Sequence, residues 1–323
     1  MKNLLIFNPG SHSGTSRRRF RLIQKLLQQH QIEVDYRITS SLADACRFSQ
    51  EGNRAGYEMI IAVGGDGTIN QVVNGFFDRQ SRRIAPHTKM GVIYTGTSPD
   101  FCKSYRIPIE AAEAVATLSR QYSRSIEIGK ITYLQQLDPS LINQPLPEDI
   151  CVQTGYFACC ANIGIGAALA RAANGGFRKR FGDQLGTFLA LLKTLSSYRP
   201  GDLVGCVDGK HFEIKNLFNL SIGKTYFIAS GIKVNHDLQP DDHRFYHLTV
   251  RNLNGRNLWS LLPQIYSGRK FANTDTIALD YCRTIEIYGN NLNPEIEFDG
   301  DPMGFLPCRI ETAVEKLDLI CEE

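Results

Sequence analysis

No stretch of this 323-residue chain is long and apolar enough to cross a bilayer. The two longest apolar stretches, 157–170 and 188–195, are broken by Asn162 and Lys193 and fall short of the roughly 20 apolar residues that a spanning helix needs. The run Leu4-Leu5-Ile6-Phe7 is stopped at once by Asn8-Pro9-Gly10, too soon for a signal-peptide core and in keeping with a strand. A soluble, cytoplasmic protein is expected. An excess of one charge is missing too: 36 Lys+Arg against 33 Asp+Glu leave a formal +3, too little for a nucleic-acid footprint, so nucleic acid is excluded as a partner. The 42% hydrophobic content excludes a disordered chain. Nine cysteines form no C-x-x-C pair and no regular framework, which predicts reduced thiols packed as small hydrophobes. Repeats and low-complexity tracts are also lacking, and the length suits two domains with a core each.

What is present changes character along the chain. Residues 4–7, 34–38, 59–63 and 91–94 read as strands, the third as a continuous apolar run. Helices are expected over 16–29, with Phe20, Ile23 and Leu27 on one face, over 42–48, and near 109–118; Ile69, Val72, Val73 and Phe76 repeat at helical spacing. This alternation predicts a parallel α/β sheet with ligands beyond the carboxyl ends of its strands. Further on, 211–222, 245–251, 276–288 and 295–298 read as antiparallel strands, with helices expected over 183–196 and 257–265. A loop with three prolines, 136–149, reads as a hairpin insertion. The expected domains are 1–124 and 125–308, and whether the tail 309–323 completes the first is left open.

Gly64-Gly65-Asp66-Gly67-Thr68-Ile69-Asn70 lies between a buried strand and a helix. Glycines there permit close backbone approach to a pyrophosphate, while free N–H groups and a helix N-terminus supply positive potential. A bare carboxylate would repel phosphate, so Asp66 either orients the loop or acts through a cation. A tight turn without a ligand is the plainer alternative, but such turns seldom need three glycines. Two further loops follow strand ends: Asn8-Pro9-Gly10-Ser11-His12-Ser13-Gly14-Thr15 and Thr95-Gly96-Thr97-Ser98-Pro99-Asp100. Arg17, Arg18 and Arg19 crowd a helix start, where cations oppose the macrodipole by up to about 1 kcal/mol each unless an anion binds nearby.

With Val72-Val73-Asn74-Gly75 behind it, the glycine loop resembles the signature of the diacylglycerol kinase catalytic domain superfamily, which includes soluble bacterial lipid kinases, sphingosine and ceramide kinases and, more distantly, NAD kinases. The resemblance implies an α/β, Rossmann-like nucleotide domain followed by an all-β, antiparallel sandwich domain, with the active site in the cleft between them. It implies that Asn8, Pro9, Ser11, Gly14, Thr39, Gly64, Gly65, Asp66, Gly67, Thr68, Asn70, Gly96 and Thr97 bind ATP. Phe298-Asp299-Gly300-Asp301-Pro302 is similar to the family's Asp-Gly-Glu segment, which makes Asp299 or Asp301 the expected general base. Asp241 and Asp242, with backbone carbonyls, could ligate a hard cation. Resemblance to a structural magnesium segment selects Gln239, Asp242 and Arg244. The chain departs from the family pattern at His12, Gln71, Pro99, His243 and Asp301.

The implied activity is ATP- and Mg²⁺-dependent phosphorylation of a lipid hydroxyl, diacylglycerol-like or sphingoid. A nucleotide- or lipid-binding protein without turnover, favoured by Pro99 and His243, and an NAD kinase are the alternatives. The expected partner is a lipid met transiently at the inner membrane face, with Phe177 and Phe181 around Arg178-Lys179-Arg180 as a candidate contact patch. A homodimer is left open.

Overall fold

The structure is a computed structural model that describes residues 2–11, 16–78, 80–96, 98–147, 152–172, 194, 198–228, 232–253, 267–289 and 292–323. Gly14, Thr97, the 177–181 patch, the helix expected over 257–265 and, Thr194 apart, the one over 183–196 lie outside the described residues, as does the side chain of Ser11. The chain divides into two compact units, Met1–Ile128 with Ala313–Glu323, and Gly129–Thr312.

The first unit is built on β1 (Asn3–Phe7), α1 (Ser16–Gln29), β2 (Asp35–Ile38), α2 (Leu42–Arg54), β3 (Met59–Gly64), α3 (Asp66–Asn74), β4 (Lys89–Tyr94), α4 (Asp100–Ser104), α5 (Ala111–Arg120) and β5 (Ser123–Ile126). Its six-stranded sheet runs β2-β1-β3-β4-β18-β5, where β18 is Leu317–Ile320. Pairing among β2, β1, β3 and β4 is parallel. Every residue of β1 and β3 is buried, as expected of parallel strands covered on both faces. Strand β2 lies at the edge, is exposed throughout, and carries Asp35 and Arg37 there, residues that discourage edge pairing. Phe7, Ile23, Leu27, Ile61, Val63, Val115 and Leu118 pack as one core. Helix α2 runs six residues beyond the expected end at 48, and starts on a capping box in which Ser41 and Asp44 satisfy each other's backbone amides.

The tail does complete this sheet. Leu319 pairs parallel with Met90, and Leu317–Ile320 run antiparallel to β5. Buried Arg83 pins it: its guanidinium donates to the carbonyls of Lys316 (2.8 Å), Ala85 (3.2 Å) and Thr88, 3.7 Å from the Asp318 carboxylate. Because β5 belongs to this sheet, the second unit begins at 129 rather than 125 and ends at 312 rather than 308.

The second unit comprises β6 (Gly129–Leu134), β7 (Gln153–Phe157), β8 (Cys160–Gly164), α6 (Ile165–Ala172), β9 (Gly201–Val207), β10 (Lys210–Gly223), β11 (Phe227–Ile228), β12 (Ile232–Lys233), β13 (Phe245–Arg251), β14 (Ile277–Cys282), β15 (Ile285–Gly289), β16 (Glu295–Phe298) and β17 (Asp301–Thr312). The main ladder is β14-β13-β10-β8-β16-β17-β15-β9, and β9 also pairs β10, so the antiparallel strands from β10 to β9 close into a ring. Fourteen-residue β10 makes this closure: its first half pairs β9 and its second half pairs β8 and β13, with irregular register near Leu217. Such bulges bend a strand so that it can serve two neighbours. The three-proline loop connects β6 to its antiparallel partner β7, as a hairpin insertion does. The single strand expected over 276–288 is two, because Asp208 accepts the amides of Arg283 (2.9 Å) and Thr284 (2.8 Å) and turns the chain. Among the described residues no helix is long and apolar enough to cross a membrane.

Candidate active site

In the first unit Asn8, Gly64, Gly65 and Gly96 lie at the carboxyl ends of β1, β3 and β4, and Thr39 follows the end of β2. Asn8, half-buried, joins two loops: its amide donates to the Val63 carbonyl (2.9 Å), its side chain accepts the Gly10 amide (2.9 Å), and its Nδ2 donates to Thr68 Oγ1 (2.8 Å). Pro9 opens a single 3-10 turn through Ser11. The glycines are needed because the loops touch backbone to backbone. A Cβ on Gly96 would lie 2.7 Å from Gly65 Cα and 2.6 Å from the Tyr94 hydroxyl, and one on Gly64 would lie 2.4 Å from Thr68 Oγ1. Helix α3 then begins behind Gly65, an N-cap without a side-chain acceptor for the first-turn amides, which are the groups that bind anions at a helix start. From α1, the Arg19 guanidinium reaches the Thr95 carbonyl (3.3 Å), placing one cation of the arginine run at the same strand ends.

Asp66 sits in the first turn of α3. Burial, reinforced by the Asp66 carboxylate, holds the Tyr94 phenol and the Cys102 thiol well above their ordinary pKa values. Thr39 and Asn70 are both buried and serve the frame: Thr39 donates its amide (2.9 Å) and hydroxyl (3.4 Å) to the Phe7 carbonyl, and Asn70 accepts from Asn74 Nδ2 within α3. Pro99 is absorbed as the N-cap of α4, its carbonyl accepting the Lys103 amide at 2.9 Å.

In the second unit, Asp299 and Gly300 form the turn between β16 and β17, both at positive φ (49° and 96°). The Asp299 carboxylate accepts three backbone amides, from Ala158 (2.8 Å), Cys159 (2.9 Å) and Cys160 (3.1 Å), and so clamps the β7–β8 turn. Asp301 follows, half-buried, as the first residue of β17. Between them and the core lies Glu297, which sequence reasoning missed. It is buried, and its two oxygens accept from Asn162 Nδ2 (2.6 Å) and the Gly300 amide (2.5 Å). Burial pushes its carboxyl up to about 7 against those two donors, and the charges of Asp299 and Asp301 add to the rise. Asn162 Oδ1 in turn accepts from the Ser221 hydroxyl (2.5 Å), Asn219 Nδ2 donates to Ser221 Oγ (2.9 Å), and Asn219 Oδ1 accepts the Gly166 amide (2.9 Å). A buried polar chain thus runs from the acid turn across β8 and β10 to the start of α6.

The residues expected to hold a structural cation do not fit one. Asp242 Oδ1 accepts the Arg244 amide (3.0 Å), and Oδ2 accepts the Gln239 amide (3.2 Å), Arg244 Nε (3.1 Å) and Arg244 Nη2 (2.9 Å). Three of these donors converge on Oδ2 and the fourth on Oδ1, so the oxygen nearer the guanidinium is fully taken up by the chain itself. Burial raises the Asp242 carboxyl, but the Arg244 and Gln239 donors outweigh it and leave the group below its ordinary value. Among the described residues there is no cluster of three His, Cys, Asp or Glu able to hold a metal.

Two family models match the chain, the diacylglycerol kinase catalytic domain over residues 2–131 and the YegS C-terminal NAD kinase beta sandwich-like domain over 160–321. The chain belongs to the family of the second model, the YegS-type NAD kinase-like β-sandwich proteins, and carries a diacylglycerol kinase catalytic domain ahead of it. Diacylglycerol kinases of Staphylococcus carnosus (strain TM300) and Staphylococcus aureus (strain JH9) are 32% and 31% identical to it over 127 residues, 39% of this chain. That alignment spans 40% and 39% of those relatives' own length. A crystal structure of a diacylglycerol kinase from Bacillus anthracis (strain Sterne) superimposes with a TM-score of 0.67, and one of a candidate diacylglycerol kinase from the same strain with 0.73. Each covers 99% of this chain and 97% of its own at 19% identity, which shows a shared fold. In this two-domain chain the glycine loops lie within the stretch matched by the diacylglycerol kinase catalytic domain model. The acid turn and the filled loop at 239–244 lie in the half described by the β-sandwich model.

Proposed function

We propose that this protein is an ATP-dependent kinase that phosphorylates the hydroxyl of a diacylglycerol-like or sphingoid lipid. The observation that carries the reading is the backbone contact of Gly65 with Gly96 beside the start of α3, with Arg19 at the same edge. This is a cradle of amides and positive charge, the arrangement that phosphates require. Phosphoryl transfer then needs alignment, charge neutralisation and an acceptor for the alcohol proton. A divalent cation accompanying the nucleotide would neutralise phosphate charge, with Asp66 the carboxylate on hand in the loop.

The two acids of the turn divide the remaining work. Asp299 already accepts three amides and shapes the turn, so Asp301 is the residue to take the alcohol proton. As that proton leaves, the lipid oxygen bonds to the γ-phosphorus, the bond to the β,γ-bridging oxygen breaks, and ADP departs. The lipid is met at a membrane surface.

Labelled ATP and Mg²⁺ are incubated with diacylglycerol vesicles, a sphingoid base or NAD, using the wild type, Asp66→Ala and Asp301→Asn. Label in a lipid, lost in both variants, is expected. Label in NADP, or nucleotide binding with no transfer to any acceptor, overturns the reading.

A further inference from the structure

In the turn between β12 and β13, oxygens expected to hold a cation are met by side-chain cations of the chain itself. Two observations meet there. The Asp242 carboxylate accepts four donors, three of them on Oδ2, and two of the four come from the Arg244 guanidinium. Independently, Lys224, which follows the end of β10, donates its ammonium to the carbonyl oxygen of Arg244 at 2.7 Å. A hard cation would seek those same oxygens, a carboxylate and a loop carbonyl. We propose that Arg244 and Lys224 fill this site with their own charges, so that the loop holds its shape without a divalent ion.

Both cations are anchored in a way that a passing surface contact would not require. The Lys224 ammonium lies 4.4 Å from the Phe245 ring centre and the Arg244 guanidinium 5.6 Å from that of Tyr281, so each is also attracted by an aromatic face. The Tyr281 hydroxyl accepts the Asp237 amide (2.9 Å), and Lys270 bonds both Asp237 oxygens (2.7 and 2.9 Å), which ties the start of the loop to the same wall. His236 stacks between Tyr226 and Tyr246 and brings no further charge, since burial, opposed by Asp237 and Asp242, lowers its pKa to about 4.

The backbone carries a matching signature. Asp241 and His243 take left-handed conformations, φ 70° and 54°, a region that glycine enters freely and that Asp and His enter more readily than most other side chains. His243 stands where the resembling segment has glycine, and four donors onto Asp242 hold the turn between these two residues. An incoming divalent ion would have to expel the guanidinium and the ammonium together, or sit against two like charges.

The test uses the full chain without nucleotide and Mn²⁺ as the probe, followed by the loss of the free-ion paramagnetic resonance signal, together with melting in EDTA and in Mg²⁺. The wild type and Asp242→Asn should give the same Mn²⁺ isotherm, and EDTA should leave the wild-type melting temperature unchanged. Lys224→Met combined with Arg244→Ala should gain Mn²⁺ affinity on the order of tenfold, the scale on which neighbouring groups tune a metal site. Mn²⁺ should also raise the melting temperature of that double variant. A Mn²⁺ ion bound by the wild type and lost in Asp242→Asn overturns the proposal, as does a folded double variant that gains none. Neither result depends on phosphoryl transfer, so this inference and the kinase reading can fail separately.

Discussion

The two units keep their polar groups in opposite places. In the parallel sheet the central strands β1 and β3 are buried from end to end, and Asn8, Asp66, Thr68 and Arg19 gather beyond the strand ends, where glycines let the loops close on one another. In the antiparallel ring the polar groups lie within the strands: Asn162, Ser221 and Glu297 sit side by side on β8, β10 and β16, and Asp299 reaches back to the amides of a neighbouring turn. The difference teaches that a glycine cradle is held by backbone shape, whereas the acid turn is held by a buried hydrogen-bond chain. The first should fail when a side chain is added and the second when one is removed.

The largest effect is expected from removing the clamp. Asp299→Ala leaves three amides without their acceptor and should cost on the order of 3 to 5 kcal/mol, read from urea melts. A loss under about 1 kcal/mol would erase the contrast between the units.

Next comes the pH dependence of Glu297. Its folded-state pKa is raised from 4.5 to about 7, so the folded protein binds the proton more tightly. The associated stability is fully present below pH 4.5 and declines as pH rises to about 7, a change on the order of 3 kcal/mol. Glu297→Gln, which does not titrate, should flatten urea-melt stability over that window. An unchanged slope would place the titration elsewhere.

A smaller cost falls on the cradle. Gly96→Ala brings a methyl group within 2.7 Å of the Gly65 backbone and should destabilise by about 2 kcal/mol while abolishing nucleotide binding measured calorimetrically. Stable protein with intact nucleotide affinity would show that the close approach of the loops is incidental. The smallest effect is that of Arg19→Ala, expected to weaken nucleotide binding by about 1 kcal/mol, in the range of a single charge near a helix start, with the melting temperature hardly moved.

Much of the first unit is legible in the sequence because its signals are local. Met59–Gly64 is a continuous apolar run since both faces of a parallel strand are covered, and the glycine loop follows it directly. The second unit is harder to read, because its site is made of residues about 60 to 140 positions apart that only the strand register brings together. Asn162 is legible as a break in an apolar run, yet nothing in the run says that it lies opposite both Glu297 and Ser221. Asp299 stands out beside Gly300, but its three amide donors come from a turn 140 residues earlier. Asp242 is expected as a cation ligand through resemblance to a magnesium segment, and becomes the partner of Arg244 only when the loop folds back on itself.

By itself, then, the sequence determined the parallel sheet, the place of the glycine loops at its strand ends and the change to antiparallel strands, since hydrophobic period and glycine spacing act over a few neighbouring residues. Tertiary structure decided that the tail joins the first sheet through Arg83, that Glu297 is buried beneath the acid turn, and that Arg244 and Lys224 occupy the cation loop. Each of those outcomes depends on which distant donor reaches a buried oxygen, and chain closure and register alone set that.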